Sequence, residues 1–283
     1  MFYSYQDCWN YAFSKQKFNS ETDLQRDLVA ICRTNVADFW SNFSQQLLTK
    51  NDYLNVCREI DKYWLLKYPT PYLSREVGFY QLNFLIKKGV FIPQKDTEIL
   101  VEKLLELTNK NWKKRKLRVL DIGTGCGNIA ISLAKINPDW QIVALDKSHK
   151  ALKVAKSNSL IHHISNVEFC QSNLFAELDP CQKFDVIVAN PPYISSNEYQ
   201  KLSPRTKNQP KNALLAKKDG YFFYQEIFGR ASAFFPRKFL LIIEMGSQQK
   251  EALLGLARKY FPSACVKVFL DWSGHSRVLA VYK

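Results

Sequence analysis

From residue 118 onward the chain alternates short apolar runs with amphipathic stretches, and no other feature constrains its fold as tightly. Runs at 118–122, 141–145, 167–170, 184–189, 240–244, 266–270 and 278–282 have strand length. Helical spacing fills 129–136, 149–158 and 252–260 between them. Strands separated by helices of this size predict an α/β fold on a doubly wound, mostly parallel sheet.

The region ahead of this alternation reads differently. Leu24, Leu28 and Ile31, then Val36, Phe39, Trp40 and Phe43, then Leu54, Ile60 and Trp64 recur at helical spacing, with Ser20 as a candidate N-cap. Pro69-Thr70-Pro71 ends that pattern. Residues 77–80 and 84–86 then read as a hairpin turning at 81–83, followed by the apolar run 90–92. A helix is expected from Asp96 or Thr97, with Ile99, Leu100, Leu104 and Leu107 as its apolar stripe. The expected organisation is a small all-helical domain at 1–70, a hairpin-bearing linker at 71–95 and a sheet domain at 96–283. A helical domain that small should dock onto something.

Composition enters as a set of exclusions. Hydrophobic residues at 46% and charged residues at 23% are the balance of a globular protein. No apolar run approaches membrane-spanning length, and the first residues lack the order of a signal peptide. Seven cysteines without a C-x-x-C pair read as reduced thiols in a cytoplasmic protein, with no metal site. His162-His163 reads as a solvated helix end. The formal charge of +14 suggests a polyanion partner until it is mapped. Residues 1–70 carry eight basic and eight acidic residues, while 110–118 and 201–218 each carry six basic and no acidic ones. Drift toward lysine explains such stretches as readily as nucleic-acid binding does.

Two motifs carry chemistry. The first strand runs into Asp121-Ile122-Gly123-Thr124-Gly125-Cys126-Gly127, where glycines permit a tight turn and a close approach of backbone to ligand. Asp146, ending the next strand, is placed to accept from both ribose hydroxyls. The G-x-G-x-G spacing departs from the dinucleotide pattern and favours S-adenosylmethionine over NAD as cofactor. The second motif is Asn190-Pro191-Pro192-Tyr193, after the strand at 184–189. Its prolines fix the backbone so that the Asn190 amide oxygen and the Pro191 carbonyl can accept both hydrogens of one planar nitrogen, with Tyr193 as a flat face for it.

The second motif resembles the Asn-Pro-Pro-Tyr of methyltransferases that modify planar nitrogens, DNA adenine and ribosomal RNA guanine enzymes among them. Further segments resemble the HemK/PrmC family of peptide chain release factor glutamine methyltransferases. These are residues 91–98, Gln209-Pro210-x-x-Ala213-Leu214 ahead of Asp219-Gly220, Glu244-x-Gly246-x-x-Gln249, and Gly274-x-x-Arg277-Val278. The resemblance covers residues 72–283. It implies a Rossmann-like class I S-adenosylmethionine-dependent methyltransferase sheet behind a helical N-terminal domain. It also implies methylation of the glutamine side-chain amide in the Gly-Gly-Gln motif of class-1 release factors.

Carried over by position, residues 123–127 would face the methionine part of the cofactor and Asp146 its ribose. Asn173 and Leu174 would line the adenine, and Phe91 and Tyr193 would dry the pocket. Gln94, Asn173, Gln209 and Ser74 depart from the family pattern of Arg, Asp, Glu and Gly. A monomer acting on a release factor is expected, without a membrane. An amino-group methyltransferase of ribosomal RNA or DNA is the alternative, and a non-catalytic RNA- or ribosome-binding descendant the second.

Overall fold

The computed structural model describes residues 1–15, 21–112 and 116–283. Ser20 and residues 113–115 of the first basic stretch lie outside the described residues. Two compact units emerge: Met1–Val77 with Ser203–Asn208, and Gly78–Leu202 with Gln209–Lys283. Residues 71–95, expected as a linker, are shared between them.

The first unit is helical: α1 (Tyr5–Lys15), α2 (Glu21–Cys32), α3 (Val36–Ser41), α4 (Lys50–Trp64) and α5 (Thr70–Ser74), with β1 (Phe2–Tyr3) pairing β2 (Leu48–Thr49). A capping box between Thr49 and Asp52 starts α4, satisfying two of its orphan donors. Leu24, Leu28, Ile31, Phe39, Ile60 and Trp64 close one core, as their spacing predicts. Val36, Trp40 and Leu54 are exposed instead. For the first two the reason is length, since α3 has six residues and buries only Phe39. Residues 203–208 belong to this core's surface. The Arg205 guanidinium stacks on the Tyr63 ring at 3.9 Å and donates to the Tyr68 carbonyl, and Asn208 donates to the Leu66 and Lys67 carbonyls. One of the six cations of the second basic stretch is therefore structural.

The hairpin pairs β3 (Glu76–Phe79) with β4 (Leu82–Leu85). It turns at Tyr80-Gln81 rather than at 81–83, and both turn residues have positive φ, 46° and 63°. That is the primed geometry matching strand twist, here without the usual Asn-Gly. Residues 90–92 are loop, not strand. Helix α6 (Thr97–Trp112) follows and buries the expected stripe.

The second unit is built on a seven-stranded sheet of β5 (Arg118–Ile122), β6 (Gln141–Asp146), β7 (Val167–Gln171), β8 (Val186–Ala189), β9 (Leu240–Glu244), β10 (Cys265–Leu270) and β11 (Ser276–Tyr282). Their order is β10-β11-β9-β8-β5-β6-β7. Strands β7 through β9 in that row are parallel, and β11 runs antiparallel to both its neighbours, β9 and β10. All residues of β8 and β9 are buried, as a sheet covered on both faces requires. The covering helices are α7 (Asn128–Ile136), α8 (His149–Ile161), α12 (Phe222–Ala231) and α13 (Lys250–Tyr260), with α6. Three short helices, α9 (Ser196–Lys201), α10 (Pro204–Lys207) and α11 (Lys211–Leu214), lie between β8 and α12. A mixed aromatic core of Phe175, Phe184, Tyr224, Phe228, Phe234 and Phe261 packs on one face. Among the described residues no helix is long and apolar enough to cross a membrane, and no cluster could hold a metal.

Candidate active site

Chain order in the sheet reverses at β5. It runs outward through β6 and β7, then returns to place β8 on the other side of β5. The crevice outside the carboxyl ends of β5 and β8 is the topological switch point, where such sheets bind ligands. Both chemical motifs leave the sheet there, the glycine loop from β5 and Asn190-Pro191-Pro192-Tyr193 from β8.

A cavity of about 470 Å³ opens at this point, within the range of small-molecule sites. Gly123, Thr124 and Gly125 line it, with Asp146, Asn173, Leu174, Phe91, Asn190, Pro191 and Pro192. Gly123 and Gly125 have φ of +79° and +59°, and a Cβ on either would meet no atom within 4 Å. The space a side chain would fill is the cavity itself. The loop is held from behind: the amides of Gly123 and Thr124 both donate to the Leu145 carbonyl at 2.8 Å, and that of Gly125 to Asp146 Oδ2 at 2.9 Å. Asp146 Oδ1 accepts from the Ser148 amide at 2.7 Å. Burial raises the Asp146 carboxyl above its ordinary range against those two donors. Each oxygen keeps a second lone pair for a ligand.

Four expected residues do not line the cavity. Asp121 is fully buried beneath the loop, facing the Thr124 side chain and the Ala130 backbone amide, and burial pushes its carboxyl up to about 7 against both. Cys126 is buried, which pushes its thiol up to about 12. Gly127 caps α7, where a Cβ would come within 2.8 Å of Ile131 and 3.2 Å of Ala155, so its role is close helix packing. Tyr193 turns away from the cavity, packing beside Gly246 and against the aromatic core. Three other rings line the cavity, Phe91 and, at the start of α12, Phe222 and Phe223.

The structure also gives work to the remaining motif segments. Gln209 accepts from the Ile92 amide at 3.0 Å and Gln94 donates to the Ile92 carbonyl at 2.7 Å, bracing the segment that carries Phe91. A carboxylate at 209 would accept the same bond, so this departure is conservative. Pro210 and Ala213 line the cavity. Gln249 donates to the Tyr193 carbonyl at 3.1 Å and accepts from the Gly246 amide and the Tyr224 hydroxyl, fixing the end of the Asn-Pro-Pro-Tyr loop.

Missed from the sequence were Thr97, Ser148, Lys217, Phe222 and Phe223, all on the cavity wall. Thr97 had a legible signal, since it opens α6 within one of the matching segments. The two phenylalanines had none, because nothing in their spacing distinguishes them from core.

Residues 81–217 match the methyltransferase small domain family. The chain is 40% identical over 210 residues to the release factor glutamine methyltransferase of Buchnera aphidicola subsp. Schizaphis graminum, covering 74% of each chain. It is 30% identical over 273 residues to that of Bacillus anthracis, covering 96% of this chain and 95% of the relative. Among solved structures, the catalytic domain of hMettl16 in complex with the MAT2A 3′UTR hairpin 6 superposes with a TM-score of 0.55 at 13% identity, covering 85% of this chain and 84% of that one. That likeness concerns the fold alone. The switch-point cavity, with the glycine loop on one wall and Asn190-Pro191-Pro192 on the other, thus sits in a chain whose relatives share one chemistry, and the protein belongs to the release factor glutamine methyltransferase family, which uses S-adenosylmethionine.

Proposed function

We propose that this chain transfers a methyl group from S-adenosylmethionine to the side-chain amide nitrogen of the Gly-Gly-Gln glutamine in class-1 peptide chain release factors. The observation that carries this reading is the meeting of the glycine loop and Asn190-Pro191-Pro192 on one cavity, in a chain 40% identical to a release factor glutamine methyltransferase. Bound S-adenosylmethionine supplies an electrophilic methyl. The open backbone at Gly123 and Gly125 would hold its methionine part, Asp146 its ribose, and Asn173 and Leu174 its adenine.

The chain's own residues then solve a reactivity problem. An amide nitrogen is a poor nucleophile because its lone pair is delocalised into the carbonyl. Asn190 Oδ1 and the Pro191 carbonyl, each taking one N–H, would orient that nitrogen in line with the methyl and favour its partial pyramidalisation. No strong base is required, since the alkylated nitrogen becomes acidic enough to shed its proton. Phe91, Phe222 and Phe223 keep water from the wall near the departing charge. The helical unit would dock the release factor, and Leu47, Leu65 and Leu66 stand exposed on it. A cytoplasmic monomer suffices for this chemistry.

The experiment is methyl transfer from labelled S-adenosylmethionine to a purified release factor, beside ribosomal RNA and DNA. Label in the release factor alone is expected, and label in RNA alone overturns the reading. Asp146→Asn is expected to weaken S-adenosylmethionine binding by roughly tenfold, the loss of one hydrogen bond to a charged acceptor. Calorimetric titration checks this, and an unchanged affinity would remove Asp146 from the ribose site.

A further inference from the structure

The Asn190 amide has two nearly isosteric ends, and what lies behind it decides which end faces the cavity. Its Nδ2 donates to the Thr97 hydroxyl at 3.0 Å. Thr97 is buried at the first residue of α6, so its own proton must find a further acceptor inside the protein. The acceptor at hand is the buried carboxyl group of Glu244, the last residue of β9, which stands one position beyond the Ala189–Ile243 pair and so beside Asn190, with the Thr97 and Asn190 side chains both favouring its ionised form. Its Oε2 is buried and makes no hydrogen bond among the described residues, so it is open to that proton.

We propose that Glu244, acting with Thr97, is a positioning residue that locks the Asn190 amide with Nδ2 inward and Oδ1 toward the cavity. The inference rests on reading Asn190 as the acceptor for the substrate amide. An ionised carboxylate only accepts. It can take a proton from Thr97 or Nδ2 but offers nothing to Oδ1, so a flipped amide would bury two acceptors against each other. The flipped form would also point an NH2 group at the substrate's NH2 group, donor against donor. A protonated Glu244 can donate to Oδ1 and removes the bias.

The groups facing Glu244 come from every element around it. They are Thr97 and Asp96 at the start of α6, Arg277 on β11, Asn190 and Tyr193 after β8, and Tyr224 on α12. Burial raises the Glu244 carboxyl to about 7 and the Asp96 charge adds to that, while Thr97, Arg277 and Asn190 oppose it. Both tyrosine hydroxyls are raised, chiefly by burial, and stay neutral. The sign follows: the carboxylate and the locked amide prevail above that value, and the lock is lost as pH falls through it.

The test follows the 15N-labelled Asn190 side-chain amide in the full chain, together with methyl transfer to a release factor, across neutral pH. The Nδ2 resonance and kcat are expected to titrate with one midpoint near 7, with activity lost on the acid side and S-adenosylmethionine affinity flat. Glu244→Gln should abolish that titration and lower kcat by about tenfold or more. Thr97→Val should lower kcat likewise, and Thr97→Ser, which keeps the hydroxyl, should restore it. A native midpoint surviving in Glu244→Gln, or a native kcat in Thr97→Val, overturns the proposal. Absence of transfer to the release factor by the native chain would overturn the functional reading instead, and the amide resonance would still decide the orientation.

Discussion

Asn190→Ala is expected to abolish methyl transfer while leaving S-adenosylmethionine bound. The substitution removes one of the two acceptors proposed for the substrate amide, so the nitrogen keeps its planar, delocalised lone pair and can rotate out of line. Loss of a single preorganised polar partner at a reacting centre costs on the order of a hundredfold or more in kcat. Behind the site, the Thr97 hydroxyl loses its donor from Nδ2, a cost to stability of about 1 kcal/mol. The cofactor's proposed contacts, at Gly123, Gly125, Asp146 and Asn173, come from the ends of β5, β6 and β7 rather than β8 and are untouched. Single-turnover transfer from labelled S-adenosylmethionine, with calorimetric binding alongside, separates the two effects. Parallel loss of binding would place Asn190 in the cofactor pocket instead.

Much of this site is legible in the sequence because its two motifs each sit at a strand end, and strand ends are marked by a change of period. The glycine loop and Asn190-Pro191-Pro192 fall on one edge of the sheet by their places in the sequence alone. Tyr193 shows the limit of that reasoning. A ring next to a catalytic loop is equally able to face the ligand or to brace the loop, and its direction depends on Gly246 and Gln249, more than fifty residues later in the chain. The opposite wall was illegible for a different reason. It comes from α11 and the start of α12, and a helix of four residues completes little more than one turn, too short to show a period. The hairpin turn moved by one residue because Tyr80 and Gln81 take positive φ without glycine or asparagine to announce it.

Asn158 is hidden in the same way. Inside α8 it looks like one more polar residue, yet it is fully buried. Its amide exchanges hydrogen bonds with both the N–H and the carbonyl of Leu85 and donates to the Cys126 carbonyl at 2.9 Å, tying the hairpin to the back of the glycine loop. The charge also reads differently in three dimensions. Arg205 serves the helical unit, Lys218 donates to Gln225 at 3.0 Å, and Lys211 lies over the Tyr199 ring at 5.5 Å. Lys217, by contrast, lines the cavity. The cations of 201–218 whose contacts are described thus have different local partners.

Gly220→Ala is expected to be the most damaging substitution at a residue that lines no part of the cavity. Gly220 has φ of +93°, and a Cβ there would sit 2.4 Å from the Tyr193 carbonyl oxygen and 2.7 Å from Gln249 Nε2. The first obstacle is backbone, so no rotamer change relieves it. Either the turn at Gly220 opens, or the Asn-Pro-Pro-Tyr loop retreats and the Gln249-to-Tyr193 hydrogen bond breaks. The φ alone costs an alanine about 1–2 kcal/mol, and the broken bond adds about 1 kcal/mol. A shift of under an ångström in Asn190 and Pro191 spoils the in-line geometry, for which losses of about a hundredfold in rate are ordinary. The expected result is therefore a lower Tm and a kcat reduced by more than tenfold, with S-adenosylmethionine affinity changed little. Gly255→Ala supplies the control, because Gly255 lies inside α13 with no atom within 4 Å of an added Cβ. Alanine there should be neutral or stabilising by up to about 1 kcal/mol. Equal behaviour of the two variants in Tm and kcat would show that the loop does not depend on the space Gly220 leaves for it.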